Sequence, residues 1–266
     1  MTDYSAPAGA PIWFDLMSSA PDKAADFYHE IFGWEVEGPP QEQFGGYQNF
    51  TLGGKRIAGL SPHEPEAGPA NIWSVYLHTD DVDATAKNIE SAGGSVMFPP
   101  MTVGDEGTMM VAMDSANAVI GFWKPNHHIG FSEWGVHGAP YWFELTSCDY
   151  PASIAFYEEV VGARPDTVVD NTGQESPPPG PVRYARLFFG DTAYAGIADA
   201  TGMLGDTPSV WKVYICVDDV AATVAHAQTL GGEIVMPGQD TPFGTLAAIT
   251  DPMGAVIALG HPPAGM

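Results

Sequence analysis

The chain repeats itself, and that repeat restricts the fold more than any other feature. "PIWFDLMSSAPDKAADFYHEIFGW" at residues 11–34 returns without a gap as "PYWFELTSCDYPASIAFYEEVVGA" at residues 140–163. Pro11, Trp13, Phe14, Leu16, Ser18, Phe27, Tyr28, Glu30 and Gly33 recur as Pro140, Trp142, Phe143, Leu145, Ser147, Phe156, Tyr157, Glu159 and Gly162. A second block follows the same rule. Trp73, Val75, Tyr76, Asp80, Asp81, Val82, Gly93 and Gly94 recur as Trp211, Val213, Tyr214, Asp218, Asp219, Val220, Gly231 and Gly232. Repeats on this scale set the architecture before any single residue is interpreted.

Each half divides again into two similar pieces. "WSVYLHT" alternates as a half-buried strand does, and "DDVDATAKNIESAGG" supplies N-cap acids, an apolar helix face and a Gly-Gly stop. The last strands are announced by "GTMMVAMDSANAVIGFW" and "GTLAAITDPMGAVIALG", where Asp-Pro-Met-Gly predicts a hairpin turn. The pattern predicts an α+β fold of four βαβββ units in tandem, each pair forming a domain whose curved mixed sheet encloses a pocket. The expected boundaries are 1–124 for the first domain, 125–139 for a linker rich in Gly and His, and 140–266 for the second. His127 and His128 are read as solvated members of that linker, and "DNTGQESPPPGPV" at 170–182 as a loop between strands.

The "FY…FGW" and "FY…VGA" helices, the "DDVDA" and "DDVAA" turns and "DPMGAVIALG" together resemble the vicinal oxygen chelate superfamily, which includes glyoxalase I, bleomycin-resistance proteins and extradiol dioxygenases. The resemblance covers nearly the whole chain and is nearest to tandem two-domain members labelled glyoxalase-like or hydroxylase. It implies a small organic ligand in a barrel pocket. In metal-using members it also implies ligands on the first and last strands of the units. Carried onto this chain, the first-strand positions are Trp13, Ser74, Trp142 and Lys212, and the last-strand positions are Gly121 and Ala258. None is a divalent-metal ligand, so no cofactor is expected. Asp15 and His78 would supply two unconventional ligands at best.

Strand alternation puts Asp15 on the face of Trp13, and Glu144 on the face of Trp142. A carboxylate beside a large aromatic loses hydration, which raises its pKa and suits it to proton transfer; it can equally tie strands together. The candidate catalytic residues are therefore Asp15 and Glu144. Trp13, Ser74, Tyr76, His78, Trp142, Lys212 and Tyr214 are the candidate ligand-binding residues. Lys212, opposite Glu144, suggests an ion pair or an anion site.

Composition narrows the partners. A formal charge of −24, from 33 acidic against 9 basic residues, repels phosphate backbones and anionic membranes. Two cysteines make no metal or redox motif. The N-terminus has no signal-peptide pattern and no apolar run reaches membrane length, so a cytoplasmic monomer or homodimer is expected. Three readings stay open: a metal-independent isomerase- or lyase-like enzyme, a non-catalytic protein that sequesters a small molecule, and a glyoxalase or dioxygenase with unexpected metal ligands.

Overall fold

A computed structural model of the chain describes residues 4–64, 68–174, 180–203, 205, 207–241 and 243–262. The first half runs β1 (Pro11–Ser18), α1 (Pro21–Phe32), β2 (Glu35–Gln41), β3 (Tyr47–Leu52), β4 (Lys55–Pro62), β5 (Ile72–His78), α2 (Val82–Ser91), β6 (Ser95–Val103), β7 (Gly107–Met113) and β8 (Val119–Pro125). The second runs β9 (Pro140–Ser147), α3 (Tyr150–Val161), β10 (Arg164–Asp170), β11 (Arg183–Phe189), β12 (Thr192–Asp199), β13 (Val210–Cys216), α4 (Val220–Thr229), β14 (Ile234–Thr241), β15 (Gly244–Thr250) and β16 (Val256–His261). Four βαβββ units therefore follow one another.

Each half makes one eight-stranded mixed sheet, in the orders β2-β3-β4-β1-β5-β8-β7-β6 and β10-β11-β12-β9-β13-β16-β15-β14. The first strands of the two units lie antiparallel at the centre, and each pairs in parallel with the last strand of its own unit. Neither sheet closes on itself; β2 and β6 are free edges of the first, β10 and β14 of the second.

Local signals explain the helices. Asp81 caps α2, accepting from the backbone N–H groups of Asp83 and Ala84, Asp219 caps α4, accepting from that of Ala222, and α1 and α3 end on left-handed Gly33 and Gly162. Alternate residues of β1 and β9, including Phe14, Leu16, Phe143 and Leu145, are wholly buried. The rings of Phe14 and Phe143 lie 6.0 Å apart, so one apolar core spans both sheets. α1 packs on α4 and α2 on α3, which means that each half covers helices of the other.

The repeated Phe-Tyr pair belongs to this junction. Phe156 lies so close to Gly94 that a Cβ there would fall 2.8 Å from its ring, and Phe27 faces Gly232 in the same way at 3.3 Å. Tyr157 donates to Asp114 Oδ2 at 2.9 Å, and Tyr28 to Asp251 Oδ2 at 3.4 Å. Asp114 and Asp251 are the buried aspartates of the β7–β8 and β15–β16 hairpins, where each also accepts backbone N–H groups of its own turn. The predicted turns are present, and each is bolted to the other half.

The segment between the sheets departs from the linker reading. Phe131 is buried and stacks on Tyr4 and Phe143 at 4.8 and 5.9 Å. His127 is exposed beside Asp105, but His128 turns inward. Strand β8 also extends to Pro125. Of the loop at 170–182, residues 175–179 lie outside the described residues. No helix among the described residues is long and apolar enough to cross a membrane.

Candidate functional site

Residues from η-turn Glu42–Phe44 and from β1, β3, β4, β5, β6, β7 and β8 line one cavity of about 390 Å³ on the face of the first sheet that turns away from the core. A single cavity touched by strands from β3 to β6 requires the sheet to curve round it. At the rim, Phe44 approaches Gly104 from the opposite edge, at 3.2 Å from where a Cβ would stand. This volume is in the range of organic-ligand sites.

Asp15 lies on the floor. Its Cα partners across the sheet are Gly59 on β4 and Ser74 on β5. Tyr47 reaches over Gly59 to donate to Asp15 Oδ2 at 3.4 Å, and its own hydroxyl accepts from Trp13 Nε1 at 2.8 Å. Tyr76 is a second phenol donor to Asp15. Burial pushes the Asp15 carboxyl up to about 7, with the Tyr76 and Tyr47 hydrogen bonds countering only part of that rise. Both phenols are themselves driven well above their usual range by burial and by Asp15, so they stay protonated donors.

Trp13, Trp123, Met101 and Met109 form apolar walls. Arg56 stands at the rim, held by Glu37 at 2.8 Å and Glu106 at 3.4 Å. His128 completes the wall, its ring edge-on to Trp13 with centroids 4.2 Å apart, and burial lowers its pKa to about 4. It is therefore a neutral imidazole at physiological pH.

The second sheet repeats the arrangement with changed residues. Trp142 Nε1 donates to Tyr184 Oη at 2.8 Å, Tyr184 reaches over Gly196, and Tyr214 donates to Glu144 Oε1 at 3.1 Å. Opposite Glu144 stands Lys212 rather than serine, its Nζ 3.5 Å from Glu144 Oε1. Glu144 is thus a compensated carboxylate, whereas Asp15 leans on neutral phenols. Gly260 takes the place of Trp123, and the Tyr141 hydroxyl lies over it.

Of the residues picked out in the sequence, Trp13, Asp15 and Tyr76 meet in the cavity, and Trp142, Glu144, Lys212 and Tyr214 meet on the second sheet. Ser74 lies across from Asp15 but is not part of the cavity wall. His78 points elsewhere: its Nδ1 is 2.9 Å from Ala6 O and its Nε2 3.3 Å from Asp80. Tyr47, Tyr184, Arg56, Trp123 and His128 were not foreseen. The two tyrosines were findable, because they hold equivalent places in the repeat and each precedes a strand glycine.

The ligand set for a divalent ion does not fit. Around Asp15 the neighbouring strands offer Gly59 and Ser74, and at Gly121 the Tyr76 ring lies where a side chain would go, 2.2 Å from an added Cβ. Around Glu144 they offer Gly196 and Lys212. No group of three His, Cys, Asp or Glu side chains among the described residues converges. Glu106 also lines the first cavity but is drawn to Arg56, so neither Asp15 nor Glu144 gathers the ligand count that such ions require.

Tandem βαβββ units forming two eight-stranded mixed sheets, the first of them curved round a cavity, define the glyoxalase-like class. The chain belongs to the Glyoxalase/Bleomycin resistance protein/Dioxygenase superfamily, whose model matches residues 12–122 and again 140–259. A Mycobacterium tuberculosis (strain CDC 1551 / Oshkosh) protein named "Putative glyoxylase CFP32" is 34% identical over 258 residues, covering 96% of this chain and 95% of its own. The anthracycline biosynthesis protein DnrV of Streptomyces peucetius is 36% identical over 260 residues, covering 93% and 91%. Among solved structures, the Mn(II)-bound glyoxalase from Novosphingobium aromaticivorans superposes with a TM-score of 0.62 at 15% identity, over 96% of this chain and 82% of that one. At such identity the likeness concerns the fold alone.

Proposed function

We propose that this protein acts on a small organic molecule in the first-sheet cavity by proton transfer through Asp15, an isomerase- or lyase-like step that uses no divalent metal. The observation that carries this reading is a carboxyl buried on the floor of an aromatic cavity, where burial lifts its pKa to about 7 against the opposing pull of two phenol donors, with no metal ligand set around it among the described residues. A base of that strength exists in both protonation states at neutral pH, which favours transfer in either direction. Tyr47 and Tyr76 hold the carboxylate, and Trp13 fixes Tyr47. Trp13 and Trp123 offer flat apolar surfaces to a planar ligand. The name of the Streptomyces relative, an anthracycline biosynthesis protein, agrees with a small organic ligand. On this reading Glu144, compensated by Lys212, ties strands together on the second sheet.

A second reading, sequestration without turnover, draws on that same second sheet. There the Trp-Tyr-carboxylate arrangement is kept beside a lysine, as a purely structural device would be. One experiment separates the two. Aromatic carbonyl compounds that quench tryptophan fluorescence are incubated in D2O and deuterium uptake is followed by NMR. Uptake by the wild type that disappears in Asp15→Asn, with binding retained, supports proton transfer. Equal uptake in the variant overturns it, and tight binding with no uptake by either protein establishes sequestration.

A further inference from the structure

A carboxylate that removes a proton from carbon works only if the electron pair has somewhere to go, and the same cavity is lined by an imidazole whose chemistry suits that. His128 lines the same cavity as Asp15. Its position is fixed from several sides. Its backbone N–H donates to Glu106 O at 3.0 Å, its carbonyl accepts from Trp123 Nε1 at 2.8 Å, and its ring rests on Trp13 and Trp123. Yet its Nε2 is shut off from solvent with no partner among the described residues. Buried polar atoms in folded proteins are paired almost without exception, and of the described side chains with such an unpaired atom, His128, Tyr141, Thr146, Tyr150 and Arg186, only His128 lines the cavity. In its neutral form, which burial and the nearby Arg56 enforce, it can offer an N–H to an oxygen without surrendering the proton.

Resting on the reading of Asp15 as the base, we propose that the His128 ring N–H binds the substrate's carbonyl oxygen while Asp15 removes a proton from the adjacent carbon. This assigns the substrate class: a planar aromatic ketone or aldehyde with a C–H next to the carbonyl. The step balances without a co-reactant. The carboxylate oxygen takes the proton, the C–H pair becomes the C=C bond, and the carbonyl π pair moves to oxygen as an enolate held by the imidazole N–H. Return of the proton from Asp15 to carbon completes an exchange or an isomerisation, with nothing oxidised or reduced overall. Here the imidazole does for the oxyanion what hydrogen-bond donors do in oxyanion holes generally.

The probe is 2-hydroxyacetophenone in D2O, with deuterium entry at its CH2 followed by NMR and its binding by tryptophan fluorescence. His128→Phe keeps an aromatic ring between the tryptophans and removes the N–H. His128→Gln keeps an N–H donor and removes the ring. The expected result is a loss of exchange of about a hundredfold in His128→Phe, the size seen when one oxyanion donor is removed, with His128→Gln recovering at least tenfold of it. The dissociation constant should change by less than about threefold in either, because ground-state binding rests on the tryptophans. Exchange in His128→Phe within twofold of wild type, while Asp15→Asn abolishes it, overturns the role of His128 and leaves Asp15 standing. Bound probe that the wild type does not exchange overturns Asp15 as base, and the role of His128 with it.

Discussion

The hydroxyl of Tyr157 in the second half donates to the carboxylate of Asp114 in the first at 2.9 Å, and also accepts from Trp211 Nε1 at 2.7 Å. Burial raises the pKa of Asp114, so the bond from Tyr157 is one of the few groups that make its position tolerable. Tyr157→Phe removes a donor to a buried carboxyl and strands an indole N–H. The expected cost is about 2–4 kcal/mol, read as a lower urea midpoint. Tyr28→Phe, acting on the longer 3.4 Å bond to Asp251, should cost less. An equal or larger cost for Tyr28→Phe would show that the two junctions are not ranked by hydrogen-bond length.

Asp15 gives a pH dependence of opposite sign to that of a salt-bridged carboxylate. Its folded pKa of about 7 lies above its ordinary value of 3.8. Between those values the folded chain binds the proton and the unfolded chain does not, so stability falls as pH rises from about 4 to about 7 and is level beyond. The upper bound is roughly 4 kcal/mol. Asp15→Asn should therefore gain melting temperature over wild type at pH 8 and gain little at pH 4. Catalysis has the reverse requirement, a rise through pH 7 as the carboxylate forms. Tyr47 and Tyr76 against Asp15, and Arg56, Glu106 and His128 across the cavity, share that environment. A stability difference independent of pH would contradict the raised pKa.

Gly59→Ala and Gly196→Ala make a matched test of the two sheets. An alanine Cβ at 59 would stand 1.8 Å from Tyr47 Oη and one at 196 would stand 2.3 Å from Tyr184 Oη, so each tyrosine must move, Tyr47 off the Asp15 carboxylate and Tyr184 off its place over the strand. Both variants should lose about 1–3 kcal/mol by overpacking. Only Gly59→Ala should lower deuterium exchange. A drop with Gly196→Ala would place chemistry on the second sheet as well.

Much of this was legible in the chain, and what was not has a physical reason. The repeat yields the order of all four units, and alternation within β1 and β9 puts Asp15 and Glu144 on the outer face. The opposition of Lys212 to Glu144 follows from the same pattern. The most repetitive motifs, Phe-Tyr, Gly-Gly and the aspartate of the hairpin, prove to be the joint between the halves, where Phe156 meets Gly94 and Tyr157 meets Asp114. His128 was read as solvated because a loop has no periodicity to reveal its facing. The repeat marks Tyr47 and Tyr184 as equivalent, but that each hydroxyl crosses a neighbouring strand at a glycine to reach the floor depends on register, which the repeat alone does not give.

Metal ions give a fourth test. With glycine, serine and lysine beside the two carboxylates, millimolar Mn(II) or Zn(II) should move the melting temperature by less than about 1 °C, since stabilisation scales with the logarithm of concentration over dissociation constant. Exchange should also survive dialysis against EDTA. A shift of several degrees, or activity lost with EDTA and restored by Mn(II), would require ligands other than those described.

The crossed tyrosines also bear on ancestry. Either half taken alone carries both members of the joint: Tyr28 with Asp114 in the first, Tyr157 with Asp251 in the second. Two copies of one half can therefore form the same pair of bonds between identical chains, and the present molecule has the geometry of a homodimer whose subunits have been spliced end to end. In one continuous chain the two copies can differ, with serine opposite one carboxylate and lysine opposite the other, and tryptophan on one sheet where the other has glycine. A symmetric pair of separate chains has no such freedom.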